Sequence, residues 1–303
     1  MLATYQLRLG LLSAALACAG VVVAATAGGS SPTAAKNPAL KAPGKPLSTY
    51  AGPKGLVAGA APQPDGYMWL LTNTGGTATL QELNLTTHEV TSIGPESAAA
   101  HSVAQSPSGV IAVGLSTKTA GAVELRNGDS GALLATVPIG APVRDVFAGA
   151  DGSTLYVLDA NASSASVTLV SLQSDQPSTS VPVPLSTVSI AVDPSEQHLF
   201  ALTSSGIVDE VDIGDGSVAA RFAVGAGAMQ LAISPGGTRL YVLKSAEGAM
   251  NVGIVELATE RQVSVRAAPA GCVDIQLSPN GQSIYDVVGT GTYGNVQVFP
   301  LGT

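Results

Sequence analysis

The chain has 303 residues, only 11% of them charged, and a formal net charge of −8. Lys and Arg neutralise a phosphate backbone, so an acidic chain without a basic run argues against a nucleic-acid partner. Its two cysteines, Cys18 and Cys272, allow one disulfide at most, and none if Cys18 leaves with a leader, so the fold must rest on its apolar core.

The N-terminus reads as an export signal over residues 1–27. Arg8 is its single charge, residues 9–27 carry none, and Ala25-Thr26-Ala27 has the small-x-small form of a cleavage site. The same apolar stretch is just long enough to act as an uncleaved anchor. Lipid attachment at Cys18, behind Ala15-Leu16-Ala17, is a third alternative. The expectation is a secreted or cell-surface protein, with membrane contact only through this segment if it is retained. Residues 28–46 hold Pro, Ala, Ser and Lys without apolar periodicity. A segment so poor in apolar bulk cannot offset its ordering entropy and is expected to be a flexible spacer. Residues 47–303 form the expected folded domain.

Within that domain one phrase recurs six times: a short apolar strand, a tight turn, then a second strand that usually carries an aromatic. The turns read QPDG at 63–66, SPSG at 106–109, GADG at 149–152, DPSE at 193–196, SPGG at 234–237 and SPNG at 278–281. Behind them stand Trp69, Ala112, Tyr156, Phe200, Tyr241 and Tyr285, spaced 43, 44, 44, 41 and 44 residues apart. A fixed period of this length marks a repeat architecture. Each repeat divides into four strands, most clearly the third, at 143–148, 154–160, 166–172 and 178–183. No segment after residue 50 has sustained helical spacing, so the domain is expected to be all-β. The last repeat ends after its third strand at 296–299. Residues 46–52 resemble the phrase that closes the other units, as at 135–140, and are expected to pair there. That would seal a β-propeller of six four-stranded blades and leave no long open edge.

The tetrads Tyr156-Val-Leu-Asp159 and Tyr241-Val-Leu-Lys244, with Phe200-Ala-Leu-Thr203 as a weaker copy, follow these turns. Together they resemble the YVTN-type β-propeller repeat of bacterial surface-layer and YncE-like proteins. They also resemble the propeller of the lactonase family. The resemblance covers residues 47–303 and implies a propeller; many such proteins have seven blades, and a seventh here would have to be a diverged copy.

The innermost strand of each blade lines a propeller's central channel. In the last five repeats one position holds Ser102, Asp145, Ser189, Gln230 and Asp274, and the next holds Val103, Val146, Ile190, Leu231 and Ile275. Strand periodicity puts the two columns on opposite faces. The apolar column is expected between blades and the polar one on the axis, flanked by His101 and Arg144. The candidate ligand-binding residues are therefore His101, Ser102, Arg144, Asp145, Gln230 and Asp274; the alternative is a solvated channel wall, with Arg144 and Asp145 a local charge pair. His88 and His198 read as turn and rim residues. The loops at 127–131 and 214–217 fall where the repeat needs turns, and neither has a full calcium-ligand set. No zinc, nucleophile-elbow or phosphate-loop motif is present, so no metal, cofactor or catalytic residue is expected.

Two functions follow. The first is a non-catalytic exported module that binds a protein, glycan or small molecule. The alternative, implied by the lactonase resemblance, is a hydrolase with Asp145 or Asp274 as base and Arg144 holding the oxyanion at the channel mouth. A quinoprotein-type redox subunit would want cofactor-docking Trp repeats that this chain lacks.

Overall fold

A computed structural model describes residues 38–42, 44–95, 99–246 and 248–301. Residues 1–27, read as an export signal, and most of the stretch read as spacer lie outside the described residues, as does Cys18. The domain is a ring of six antiparallel four-stranded sheets. Their inner strands are Leu56–Gly59, Ala100–Gln105, Val143–Ala148, Thr187–Val192, Ala228–Ile233 and Cys272–Leu277, numbered here as blades 1 to 6. Each inner strand contacts those of the two flanking blades, and the sixth contacts the first. Within a blade the chain meanders outward, since consecutive strands joined by short turns pair antiparallel.

The ring closes as expected. Blade 6 takes its outer strand from the chain start, where Ser48–Gly52 pairs antiparallel with Gly294–Pro300, from Ser48 opposite Val298 to Gly52 opposite Gly294. Tyr50 is buried in this junction against Leu56, Met68, Val287 and Val296. Its ring meets that of His88 edge-on, with centroids 4.7 Å apart. Within the stretch read as spacer, Leu40–Lys41 adds a short parallel strand beside Val265 and Arg266, covering the outer edge of blade 5.

The core is split among the interfaces between blades, one apolar cluster per interface. Trp69 lies between blades 1 and 2, Tyr156 between 3 and 4, Phe200 between 4 and 5, and Tyr241 between 5 and 6. Blade 2 has Ala112 at this position, and its interface with blade 3 is filled instead by Val143, Val146, Leu155 and Val157. Large rings suit these positions because an aromatic buries much area with few torsions to fix. Val103, Val146, Ile190, Leu231 and Ile275 all fall in these clusters, as the alternation predicts.

The turns joining first and second strands pack on one another around the ring. A Cβ at Gly237 would lie 2.9 Å from Pro194 Cδ, and one at Gly281 3.4 Å from Pro235 Cδ, so the proline of one turn occupies the space that the next turn's glycine leaves open. Blades 3 and 4 break the pattern together. Ala150 replaces the proline of one turn, and Glu196 stands where the other turns have glycine, at φ 56°. That left-handed conformation disfavours a side chain with a Cβ. The Glu196 carboxylate spans the gap: Oε1 accepts the Asp151 N–H at 2.8 Å and Oε2 the Tyr156 hydroxyl at 2.8 Å. Gly149 makes room, because a Cβ there would lie 2.7 Å from Glu196 Oε1. Three substitutions that look like decay of the repeat are one alternative joint.

Candidate functional site

Every inner strand carries a β-bulge at the same place. The register slips between Leu56 and Ala58, Ala100 and Ser102, Val143 and Asp145, Thr187 and Ser189, Ala228 and Gln230, and Cys272 and Asp274. The extra residues are Val57, His101, Arg144, Val188, Met229 and Val273. A bulge re-aims the residues around it, and here all six extra residues line the axial cavity. The candidate residues His101, Ser102, Arg144, Asp145, Gln230 and Asp274 are likewise brought together there, with Ser189.

Within this cavity the polar column forms a ring of clasps between blades. Asp145 Oδ2 accepts the Ile190 N–H at 3.2 Å and the Ser189 hydroxyl at 2.9 Å. Ser189 Oγ accepts the Leu231 N–H at 3.2 Å, and Gln230 Oε1 the Ile275 N–H at 2.7 Å. Asp274 Oδ2 then accepts the Gly59 N–H at 2.7 Å, returning to blade 1. In each case the acceptor reaches the amide just after its counterpart in the following blade. An inner strand has no fifth strand to pair with, and these side chains satisfy amides that the ladder leaves open. Four of six interfaces are joined this way. Blade 1 has Ala58 at this position and offers no acceptor, and Ser102 Oγ in blade 2 is buried without a hydrogen-bond partner among the described residues.

One bulge residue clasps in the opposite sense, as a donor. Arg144 Nη1 donates to the carbonyls of Leu185 and Thr187, both at 2.8 Å. Burial lowers the basicity of the His101 ring, and the nearby backbone of Val143, the position equivalent to Thr187, partly opposes that shift. Arg144 and Asp145 therefore serve different partners and do not form the local pair that adjacency suggests.

Burial pushes the Asp145 carboxyl up to about 6 and Asp274 up to about 7, against the pull of their donors, and Asp145 adds to the effect on Asp274. Acids that hold a proton near neutrality suit acid–base chemistry. Their oxygens, however, are already engaged. Asp145 accepts from Ser189, Ile190 and its own neighbour Val146 at 3.0 Å. Asp274 accepts from Gly59, from Gln230 Nε2 and from Gln276 Nε2, the last reaching both oxygens at 3.2 Å. A carboxylate has about four acceptor positions, so Asp274 has none left to take a proton from a water.

The axial cavity encloses about 530 Å³. One mouth is ringed by Pro64, Pro107, Pro194, Pro235 and Pro279, with Ala150 at the sixth place. Below that rim lies an apolar belt that includes Ala104, Phe147, Ile233 and Leu277, and below it the polar ring. Sequence reasoning missed this belt, because Phe147 and Ile233 follow the polar column in the strand and look like ordinary core residues.

The other sequence candidates lie off the axis. His88 is exposed in its turn at φ 66°, and His198 begins the second strand of blade 4. Asn127 Oδ1 accepts the N–H groups of Asp129 and Ser130, and Asp212 Oδ1 those of Gly214 and Asp215. Both loops are Asx turns. Cys272 is buried beneath the polar ring, and burial raises its thiol far above the range of a reactive cysteine.

No protein-family model matches the sequence, and no curated protein sequence does. Many solved structures share the architecture. One is the hydrazine synthase of Kuenenia stuttgartiensis, at 16% identity and a TM-score of 0.59, covering 78% of this chain and 74% of that one. This similarity shows the fold. It carries no activity across, because one fold hosts many unrelated functions.

Proposed function

We propose that this chain is an exported β-propeller of the YVTN type that acts as a non-catalytic binding module, taking its ligand at the proline-ringed mouth of the channel. The observation that carries this reading is the commitment of Asp145 and Asp274 to backbone amides of neighbouring blades. A hydrolase would need a carboxylate free to activate water, whereas Asp274 has no acceptor position left and Asp145 is held by three donors with a single position open. The cavity has the character of a binding site: a rigid rim, an apolar belt and a few polar groups at its floor. Export is supported by the uncharged run at 9–27 and the Ala25-Thr26-Ala27 signature, and kinship to the YVTN repeat by the tetrads at 156–159 and 241–244. The ligand is a protein segment, glycan or small molecule that presents an apolar group to Phe147 and Ile233.

The test is a panel of lactones assayed against the purified protein, with Asp145→Asn and Asp274→Asn as controls. No turnover above buffer is expected for any of the three. Lactone opening by the parent chain that either substitution abolishes, while its thermal midpoint stays within a few degrees, would overturn the reading in favour of a hydrolase.

A further inference from the structure

The ring of clasps has a gap between blades 1 and 2. In blade 2 the Ser106 N–H bonds to the Val110 carbonyl and fixes the parity of the hairpin. Alternation along an antiparallel pair then turns the Val103 N–H away from the second strand. Gly59, Ile190, Leu231 and Ile275 stand in the same place, and each donates to a side chain of the preceding blade. Val146, the sixth, is met by its own neighbour Asp145 at 3.0 Å. Val103 faces Ala58 and has no side-chain acceptor among the described residues, and Ser102 Oγ beside it is itself without a partner there. Ala58, Ser102 and Val103 all line the axial cavity, so the notch at Ala58 opens into it.

We propose that this notch takes a neutral carbonyl oxygen, carried by a ligand whose apolar chain lies along the belt of Ala104, Phe147, Ile233 and Leu277. The proposal names the ligand class for the channel and rests on the channel being a binding site. The ring itself decides the chemistry. Its acceptors are spoken for, since Asp145, Ser189, Gln230 and Asp274 each serve an amide of the next blade. An ammonium head would lose its water there and find few partners. An anionic head would meet Asp145 and Asp274 in the same ring, and like charges repel strongly where water is scarce. Arg144 does not offset them, because it sits on the bulge side and is turned to the carbonyls of Leu185 and Thr187. A carbonyl accepts a bond, donates none and carries no charge. Placed beside Ala58, it does for Val103 what Asp274 does for Gly59. From Asp145 to the strand end at Ala148 the wall climbs about 10 Å, which leaves length for a chain of several carbons.

The full chain is titrated calorimetrically with 2-octanone, sodium octanoate and octylammonium chloride, and amide exchange is followed at Val103. Saturable binding of 2-octanone is expected, with both charged chains weaker on the order of tenfold or more. Bound ketone should slow exchange at Val103 roughly tenfold and leave Ile190 unchanged. Ala58→Ser supplies the acceptor that Ser189 supplies in blade 4. It should slow Val103 exchange without ligand, raise the thermal midpoint and weaken 2-octanone on the order of tenfold. A damaged fold would not bind less and melt higher. The proposal is overturned if either charged chain binds as tightly as the ketone, if saturating ketone leaves Val103 exchange unchanged, or if Ala58→Ser binds it as the parent does. Those results would leave the channel as a site for apolar chains and remove only the carbonyl assignment. Absence of binding by all three probes would overturn the channel reading as well.

Discussion

Deleting residues 1–52 is expected to abolish the monomeric, cooperatively melting propeller. The deletion removes the strand Ser48–Gly52, and with it the ladder to Gly294–Pro300 and the Leu47 N–H bond to the Val298 carbonyl at 2.7 Å. Tyr50 leaves the cluster that joins blade 6 to blade 1, uncovering Val296 and Val298. What remains is a long unpaired edge with an apolar face, the arrangement that templates aggregation. The loss exceeds the sum of its hydrogen bonds, because the closing strand anchors the ring to itself. Size-exclusion chromatography and thermal melting check the outcome, and a synthetic peptide of residues 45–53 should restore part of the folded monomer. A truncated chain that stays monomeric and melts within a few degrees of the parent would show that the inner strands alone hold the ring shut.

The second large effect is expected at Asp286. Its carboxylate is fully buried in the second strand of blade 6 and receives a bidentate pair from Arg266 of blade 5, with Nη1 at 2.8 Å and Nη2 at 2.5 Å. The guanidinium also lies 4.9 Å from the centre of the Phe299 ring. Asp286→Ala strands a mostly buried positive charge between blades, and breaking such a pair costs about 3–5 kcal/mol. For a domain of this size that lowers the melting temperature by on the order of 10 °C. Replacing both partners, Arg266→Met with Asp286→Leu, should recover much of the loss, since a buried ion pair contributes little beyond what matched apolar groups supply. Denaturant unfolding of the single and double variants checks both statements. Equal losses in the two would mean that packing volume, and not the stranded charge, sets the penalty.

How much of this could be read from the residues depends on distance along the chain. The blades were legible because the turn, the aromatic and the strand alternation repeat within a few residues of one another, and the sixth blade's missing strand pointed to the chain start. The polar column was legible as positions, from Ser102 through Asp274, because strand parity separates it from the apolar column. Its bonding was not. Asp145 meets Ile190, and Asp274 meets Gly59, across a blade boundary and through a backbone amide that has no residue signature. The bulges at Val57, His101, Arg144, Val188, Met229 and Val273 also escape pattern reading, since each adds one residue to a strand of four to six. The joint at Ala150 and Glu196 left a trace, a proline missing from one turn and a glycine missing from the next.

The clasp ring gives the channel its rigidity and occupies its carboxylates, so the account depends on it most. Hydrogen exchange of individual backbone amides tests it directly. The amides of Gly59, Ile190, Leu231 and Ile275 should be protected roughly tenfold or more beyond that of Val103, which stands at the same place in its strand but faces Ala58. Of these four amides, Asp145→Ala should release Ile190 alone. Exchange at Ile190 and Gly59 as fast as at Val103 would mean that Asp145 and Asp274 are free in the channel, and the case against catalysis there would fall.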